Sequence, residues 1–321
     1  MAKPACDETT FVELMQEHGS EETARILGVH VRNIHKRRAG IEKRRGIVIV
    51  SPSNKFSIQR AEAASKHPHR LVESIRDGVV LVGSDSHYWP GVVTTAHRAF
   101  VKFAKMLKPM IIVKNGDELD FPSISRFAPG AWTDWEKRPK VADEIEETKQ
   151  RLHEIAMACP KAKRFWPLGN HDARFETRLA TQAQEYANVH GIHLKDHFPE
   201  WEPCWGVWIN DDVVIKHRFR GGIYAPRNNT LFSGRTLITG HLHSLKVWPH
   251  SDYNGTRFGV DTGTMAEPYG PQSVDYTEDS PVDWRSGFVV LYFVNGRLLW
   301  PQIAHVIGDG LIDFRGEIIE V

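Results

Sequence analysis

The 321-residue chain is 41% hydrophobic and 25% charged, a composition that supports a full buried core and leaves room for one large domain beside a small one. Its 41 Lys and Arg nearly balance 40 Asp and Glu, so whole-molecule attraction to a polyanion is excluded and any phosphate-binding surface must be a local patch. Cys6, Cys159 and Cys204 lack CxxC spacing and leave one thiol over, the start lacks the apolar segment of a secretory signal, and no run approaches the ~18 apolar residues of a membrane span. A cytoplasmic chain with no membrane association is expected.

Thr10 to Arg45 reads as a separate small helical unit. Phe11, Leu14 and Met15 form one apolar face, Ser20 followed by Glu21, Glu22 and Thr23 reads as the N-cap of a second helix, and Gly28 ends that helix. Val31 to Arg38 reads as a third. The run Glu-x-x-Ala-x-x-Leu-Gly-Val, from Glu21 to Val29, resembles a helix-turn-helix, in which Ala24 permits close packing and Gly28 makes the turn. Arg32, Lys36, Arg37, Arg38, Lys43, Arg44 and Arg45, with His35 when protonated, face a single acid, Glu42. Such a stripe fits contact with nucleic-acid phosphates. The alternative is a docking or assembly module whose basic face is simply solvated. The expected division is a helix-turn-helix-like module over 1–46, a linker over 47–76 in which Ile47 to Val50 is a candidate strand, and a main domain over 77–321.

From Val79 onward, apolar runs alternate with helical patterns. Thr94 to Leu107 and Val141 to Ala158 carry apolar residues at helical spacing and are predicted as crossovers of a parallel sheet. After Val213 the chain turns to strands, including Arg257 to Asp261 and Gly287 to Phe293, which are expected to build a second, mixed sheet.

Five apolar runs each end in residues of metal-ligand type. Val79 to Val82 leads to Asp85 and His87. Met110 to Val113 leads to Asp117 and Asp120, and Phe165 to Leu168 leads to Gly169-Asn170-His171-Asp172. Val213 to Ile215 leads to His217, and Leu237 to Thr239 leads to Gly240-His241-Leu242-His243. A short β-branched run ending in such residues reads as a buried parallel strand that delivers them to the carboxyl edge of a sheet, where open α/β folds bind ligands.

The order Asp-x-His, Gly-Asp-x-x-Asp, Gly-Asn-His-Asp, His, Gly-His-x-His resembles the calcineurin-like metallophosphoesterases over Val79 to Gly263. The resemblance implies an α/β chain built as a four-layer αββα metallophosphoesterase sandwich, preceded here by the small all-α unit. It also implies two divalent metal ions, manganese first, with iron, zinc, nickel and magnesium as alternatives that an oxygen and nitrogen ligand set also accepts. Carried over position by position, Asp85, His87, Asp117 and His243 hold one metal, while Asp117, Asn170, His217 and His241 hold the other. His171 becomes the general acid and Asp120 the carboxylate that orients it.

The sequence also departs from the protein serine/threonine phosphatases of this superfamily. Phe121-Pro122 replaces their Arg-Gly and Asp172 replaces their Glu, which argues against a phosphoprotein substrate. The usual His-Gly of the fourth stretch is His217-Arg218 here. Arg174, Arg218 and Arg220 stand beside ligand stretches as candidate clamps on phosphate oxygens, or as partners of local acids. Phe121 to Lys140, with Phe127, Trp132, Trp135 and Arg126, reads either as an aromatic lid able to stack a base or as a loop buried by its own tryptophans. The expected activity is phosphoester hydrolysis, with a nucleic-acid phosphodiester as substrate. The alternatives are a small-molecule phosphatase or phosphodiesterase with a docking module, and a DNA-binding or assembly protein with an inactive esterase domain.

Overall fold

The computed structural model of the protein describes residues 6–45, 49, 67–126, 135–277 and 280–321. The expected strand over Ile47 to Val50, apart from Ile49, and the lid residues Phe127 and Trp132 lie outside the described residues. The chain divides into two compact units, Met1–Lys66 and His67–Val321.

In the smaller unit, α1 (Glu8–Ile26) begins at Asp7, whose carboxylate accepts the Thr10 N–H at 2.9 Å. Gly19, at φ 76° and ψ −178°, interrupts it, so the break falls one residue before the expected cap Ser20. Gly28 at φ 63° turns the chain into α2 (Val31–Arg45), which runs to Arg45 rather than Arg38. Phe11, Met15, Ala24, Ile34, Ile41 and Ile49 form the core. Much of the basic stripe folds back onto this unit. Arg37 donates to the carbonyls of Cys6 (2.6 Å) and Asp7 (3.0 Å) and lies over the Phe11 ring. Arg38 pairs with Glu42 at 2.9 Å, and Arg44 and Arg45 pair with Glu8 at 2.8 and 2.9 Å. Arg32, Lys36 and Lys43 are exposed at helical spacing along one face of α2.

The larger unit starts earlier than the expected linker boundary, because β1 (Leu71–Glu73) pairs in parallel with β6 (Val207–Ile209). One sheet contains the parallel strands β2 (Gly78–Gly83), β3 (Ile111–Lys114), β4 (Lys163–Pro167) and β5 (Glu202–Cys204). Helices α3 (Thr95–Leu107) and α4 (Val141–Ala158) are the predicted crossovers between β2, β3 and β4.

Gly287 to Phe293, expected in the second sheet, belongs to this first one: β11 (Gly287–Val294) runs antiparallel beside β2. Beyond it lie β13 (Gln302–Gly308), β14 (Leu311–Phe314) and β15 (Glu317–Glu320), while β12 (Arg297–Leu298) pairs with β11. The other sheet orders β1, β6, β7 (Val213–Ile215), β8 (Thr236–Thr239), β10 (Gly255–Asp261) and β9 (Lys246–Asp252).

Side-chain alternation assembles four layers. Leu81, Ile112, Phe288 and Val290 face Phe100, Phe103, Leu152 and Ile155 of α3 and α4. Val80, Val82, Ile111, Val113, Val289 and Leu291 face Val207, Ile215, Ile238 and Val260 of the other sheet. The helix after β7, α6 (Ala225–Ser233), packs on β8, β9 and β10, and α5 (Ala173–Gln182) follows β4. The result is an α/β sandwich of helices, two sheets and a helix. Among the described residues no helix is long and apolar enough to cross a membrane.

Candidate metal centre

The carboxyl ends of β2, β3, β4, β7 and β8 converge, and the loops leaving them are sewn together by backbone bonds. Asp85 N–H donates to Gly116 O (2.8 Å), His87 N–H to Asp117 O (3.1 Å) and Gly240 N–H to His217 O (2.9 Å). Asp85, His87, Asp117, His241 and His243 all adopt positive φ, between 39° and 72°, a conformation that costs non-glycine residues on the order of 1–3 kcal/mol and persists where the surroundings impose it. Glycines precede two of them, Asp117 and His241, and are sterically required there. A Cβ on Gly116 would lie 2.6 Å from His217 Nδ1, and one on Gly240 would collide with the Asp85 carboxylate.

Two clusters match the two predicted ligand sets in part. Asp85, His87 and His243 form one, and Asp117, His217 and His241 the other, each with its potential ligand atoms within 4.8 Å of one another. A third joins His87, Asp120 and His171. Asp85 Oδ2 accepts the His241 N–H at 2.9 Å while its Oδ1 lies 3.1 Å from His243 Nε2. Asp117 Oδ1 accepts the His171 N–H at 2.7 Å, and its Oδ2 stands 3.1 Å from His217 Nε2, close enough for an ion pair though not aligned as a hydrogen bond. His217 Nδ1 lies 2.7 Å from Asn115 O, which assigns its proton to Nδ1 and turns Nε2 towards Asp117.

His87 Nε2, His217 Nε2, His243 Nδ1 and Asn170 Oδ1 are buried without a hydrogen-bond partner. Four orphaned polar atoms among buried carboxylates are costly unless a cation satisfies them. Clusters of this chemistry could hold metal ions.

The electrostatics agree. Burial favours neutral His217, yet the facing carboxylates of Asp117 and Asp85 raise its pKa to about 10. Burial would raise Asp117, but the imidazoles of His217, His171 and His87 hold it well below the usual carboxylate range. Burial lowers His171, but the Asp120 hydrogen bond and the charges of Asp117 and Asp120 together outweigh it, so His171 titrates above the ordinary imidazole range. Protons on these rings take the place that a cation would fill.

Three carboxylates to which the sequence assigns no site role hold the loops. Asp172 accepts the N–H groups of Asp117 (2.9 Å), Glu118 (3.0 Å) and Gly169 (2.8 Å) and the Trp166 indole N–H (3.0 Å). Glu144 of α4 accepts the N–H groups of Asp120 (3.1 Å) and Phe121 (2.7 Å), and Asp261 of β10 those of Ser244 and Gly263, both at 3.0 Å. Asp172 carried a signal, its place beside Asn170 and His171. Glu144 and Asp261 carried none.

The centre opens into a cavity of about 160 Å³ lined by His87, Asp117, Asp120, His171, His241, His243, Gln272, Ser273 and Trp284. Arg174 contacts two of the lining residues, with Nη1 donating to Asp120 O at 2.7 Å and Nη2 donating to His171 Nε2 at 3.1 Å. Arg218 and Arg220 line an adjoining cavity of about 80 Å³ with His241. Three histidines outside the motifs pair elsewhere: His97 with Glu154 (2.8 Å), His153 with Glu200 (3.0 Å) and His193 with Glu176 (3.2 Å). The basic residues of α2 belong to the other unit.

No protein-family model matches the chain. Over 246 residues it is 24% identical to the Gene 54 protein of Mycobacterium phage L5, an alignment covering 70% of this chain and 92% of the phage protein. The Gene 54 protein of Mycobacterium phage D29 is 25% identical over 250 residues, with the same coverages. Among solved structures, zinc-complexed Vps29 from Entamoeba histolytica matches at TM-score 0.38 and 14% identity, covering 75% of this chain and 98% of that one. An archaeal phosphodiesterase matches at TM-score 0.35 and 14% identity, covering 70% of this chain and 99% of that one.

Proposed function

We propose that the chain is a metal-dependent phosphoester hydrolase of the calcineurin-like superfamily, and that its substrate is a phosphodiester of nucleic acid. The observation that carries the reading is the meeting of the two ligand clusters, with Asp117 at 3.1 Å from His217 and the orphaned atoms His87 Nε2, His243 Nδ1 and Asn170 Oδ1 around them. Asp85, His87, Asp117 and His243 would hold one divalent ion, and Asp117, Asn170, His217 and His241 the other, with manganese as the first candidate. Bound there, a pair of cations would make water a nucleophile at neutral pH and neutralise phosphoryl oxygens.

The remaining work falls to side chains. His171, with its Nδ1 on Asp120, would protonate the leaving oxygen from Nε2 once the Arg174 guanidinium, which here donates to that atom, turns to a phosphoryl oxygen. Arg218 and Arg220 are candidates for the same clamp from the other side. Arg32, Lys36 and Lys43 of the helix-turn-helix-like unit, exposed on one helix face, favour a role for that unit in nucleic-acid contact. Free thiols at Cys6, Cys159 and Cys204 favour a cytoplasmic setting.

Against the second reading, a phosphatase or phosphodiesterase of small molecules, the cavity of about 160 Å³ is less than the ~300–1,000 Å³ of pockets that enclose a whole small ligand. Hydrolysis of bis-p-nitrophenyl phosphate, p-nitrophenyl phosphate, and single- and double-stranded DNA, side by side with added manganese, tests both. Turnover of the diester and DNA supports the first reading, and turnover of the monoester alone overturns it.

A further inference from the structure

Beside the metal centre lies a surface of unusual composition. From Lys216 to Arg235 the chain carries five basic residues, Lys216, Arg218, Arg220, Arg227 and Arg235, and no Asp or Glu, in a protein whose charges otherwise balance. The same segment, with β9, exposes large rings: Phe219 is 44% exposed, Tyr224 57%, Phe232 62% and Trp248 42%. These rings are organised. Tyr224 and Trp248 meet edge to face with centroids 6.4 Å apart, and the Arg220 guanidinium lies 3.7 Å over the Phe232 ring. The Arg220 N–H donates to Asn229 Oδ1 at 3.1 Å, which ties the loop to α6. Tyr224, Asn228 and Phe232 follow one another at helical spacing.

The surface is continuous with the site. Arg218, Phe219, Arg220 and Gly221 line the 80 Å³ cavity together with His241, and His241 also lines the cavity of the metal centre. Exposed aromatic area on this scale marks an interaction surface. Arg235 pairs with Asp212 at 3.3 Å, but Lys216, Arg218, Arg220 and Arg227 form a cationic stretch that selects a polyanion, and stacking rings select one with accessible flat bases, which a duplex buries and a single strand presents.

We propose that this face is a track for single-stranded nucleic acid, leading the strand from the metal centre across α6, with bases stacked on Tyr224, Trp248 and Phe232 and phosphates held by Arg220 and Arg227. The proposal rests on the phosphoesterase reading and narrows its substrate to a single strand.

The test uses the full chain and a thymidine dodecamer substituted with 5-iodouracil. Photocrosslinking to the chelator-treated protein, with adducts mapped by mass spectrometry, is expected at Tyr224, Trp248 or Phe232. In the doubly substituted protein Tyr224→Ala, Phe232→Ala, the ratio of the dodecamer KM to the bis-p-nitrophenyl phosphate KM is expected to rise about tenfold or more, given the typical loss on removing a stacking ring. Tyr224→Phe keeps the ring and should leave that ratio at the wild-type value, which separates stacking from damage to the fold. Adducts confined to residues 1–66, or an unchanged ratio in the double variant, would overturn the proposal. So would a wild-type dimer that the double variant dissociates, since the face would then bind a second copy of the chain. Absence of any wild-type hydrolysis would defeat the phosphoesterase reading, while the crosslinks would still decide whether the track exists.

Discussion

His171 Nδ1 lies 2.7 Å from Asp120 Oδ1, an oxygen that also stands 3.1 Å from His87 Nδ1. One carboxylate oxygen thus faces two imidazoles whose ring centroids are 4.7 Å apart. The arrangement fixes the Nδ1 proton of His171 and leaves Nε2 towards Arg174 and the cavity. Asp120 is itself held from behind, by the Glu144 carboxylate on its backbone N–H at 3.1 Å.

If His171 is the general acid, His171→Asn should retain metal and lose turnover of alkyl phosphodiesters by ~10²–10⁴-fold. The loss should be smaller for p-nitrophenyl esters, whose leaving group needs little protonation. Metal content with kcat on both ester classes checks this, and equal losses on the two would remove His171 from the role.

Asp120 raises the His171 pKa against the opposing effect of burial. A raised imidazole pKa keeps the ring protonated to higher pH, so Asp120→Asn should move the alkaline limb of the kcat profile for alkyl esters to lower pH. A profile that loses height without moving its limb would assign Asp120 to His87 alone.

Burial pushes the Glu144 carboxyl to about 8 from its ordinary 4.5, although the Asp120 and Phe121 N–H groups oppose the shift. The folded state then binds more protons than the unfolded one between those values, so this carboxyl stabilises the fold at low pH and progressively less as pH rises towards 8. Glu144→Gln retains an acceptor oxygen and removes the titration. Its thermal midpoint should therefore change less than wild type across that window, as scanning calorimetry at several pH values would reveal.

The candidate ligand residues were legible because each stands at the end of its own apolar run, so a local pattern predicted both a strand and its cargo. His217, without the usual glycine after it, still reaches the centre, since position is set by β7 and not by the residue that follows. Glu144 and Asp261 were invisible because their partners are backbone N–H groups, which leave no mark in a sequence. The sheet of Gly287 to Val294 was misread for a similar reason: a strand buried on both faces is a continuous apolar run in either sheet, and only pairing with β2 decides. In α2 the basic stripe was plain, but not that Arg37 would cap the carbonyls of Cys6 and Asp7 instead of facing solvent.

That inward turn redirects the test of the N-terminal unit. Changing Arg32, Lys36 and Lys43 together to Ala should weaken DNA binding and reduce the slope of log affinity against log salt by about 0.9 for each phosphate that is no longer neutralised. The measurement is anisotropy titration across a salt series, with the thermal midpoint confirming the fold. An unchanged slope would make the unit a docking element.

Metal content and hydrolysis measured together on wild type and Asp117→Ala test the central claim most directly. After manganese loading and removal of free ion, the wild type is predicted to retain about two ions per chain, as two-metal sites do, and to hydrolyse bis-p-nitrophenyl phosphate. Asp117→Ala is predicted to lose both metal and turnover, because the carboxylate between His171 and His217 is gone. Undiminished turnover in a metal-depleted Asp117→Ala protein, or a wild type that neither binds metal nor cleaves any phosphoester, would contradict the account.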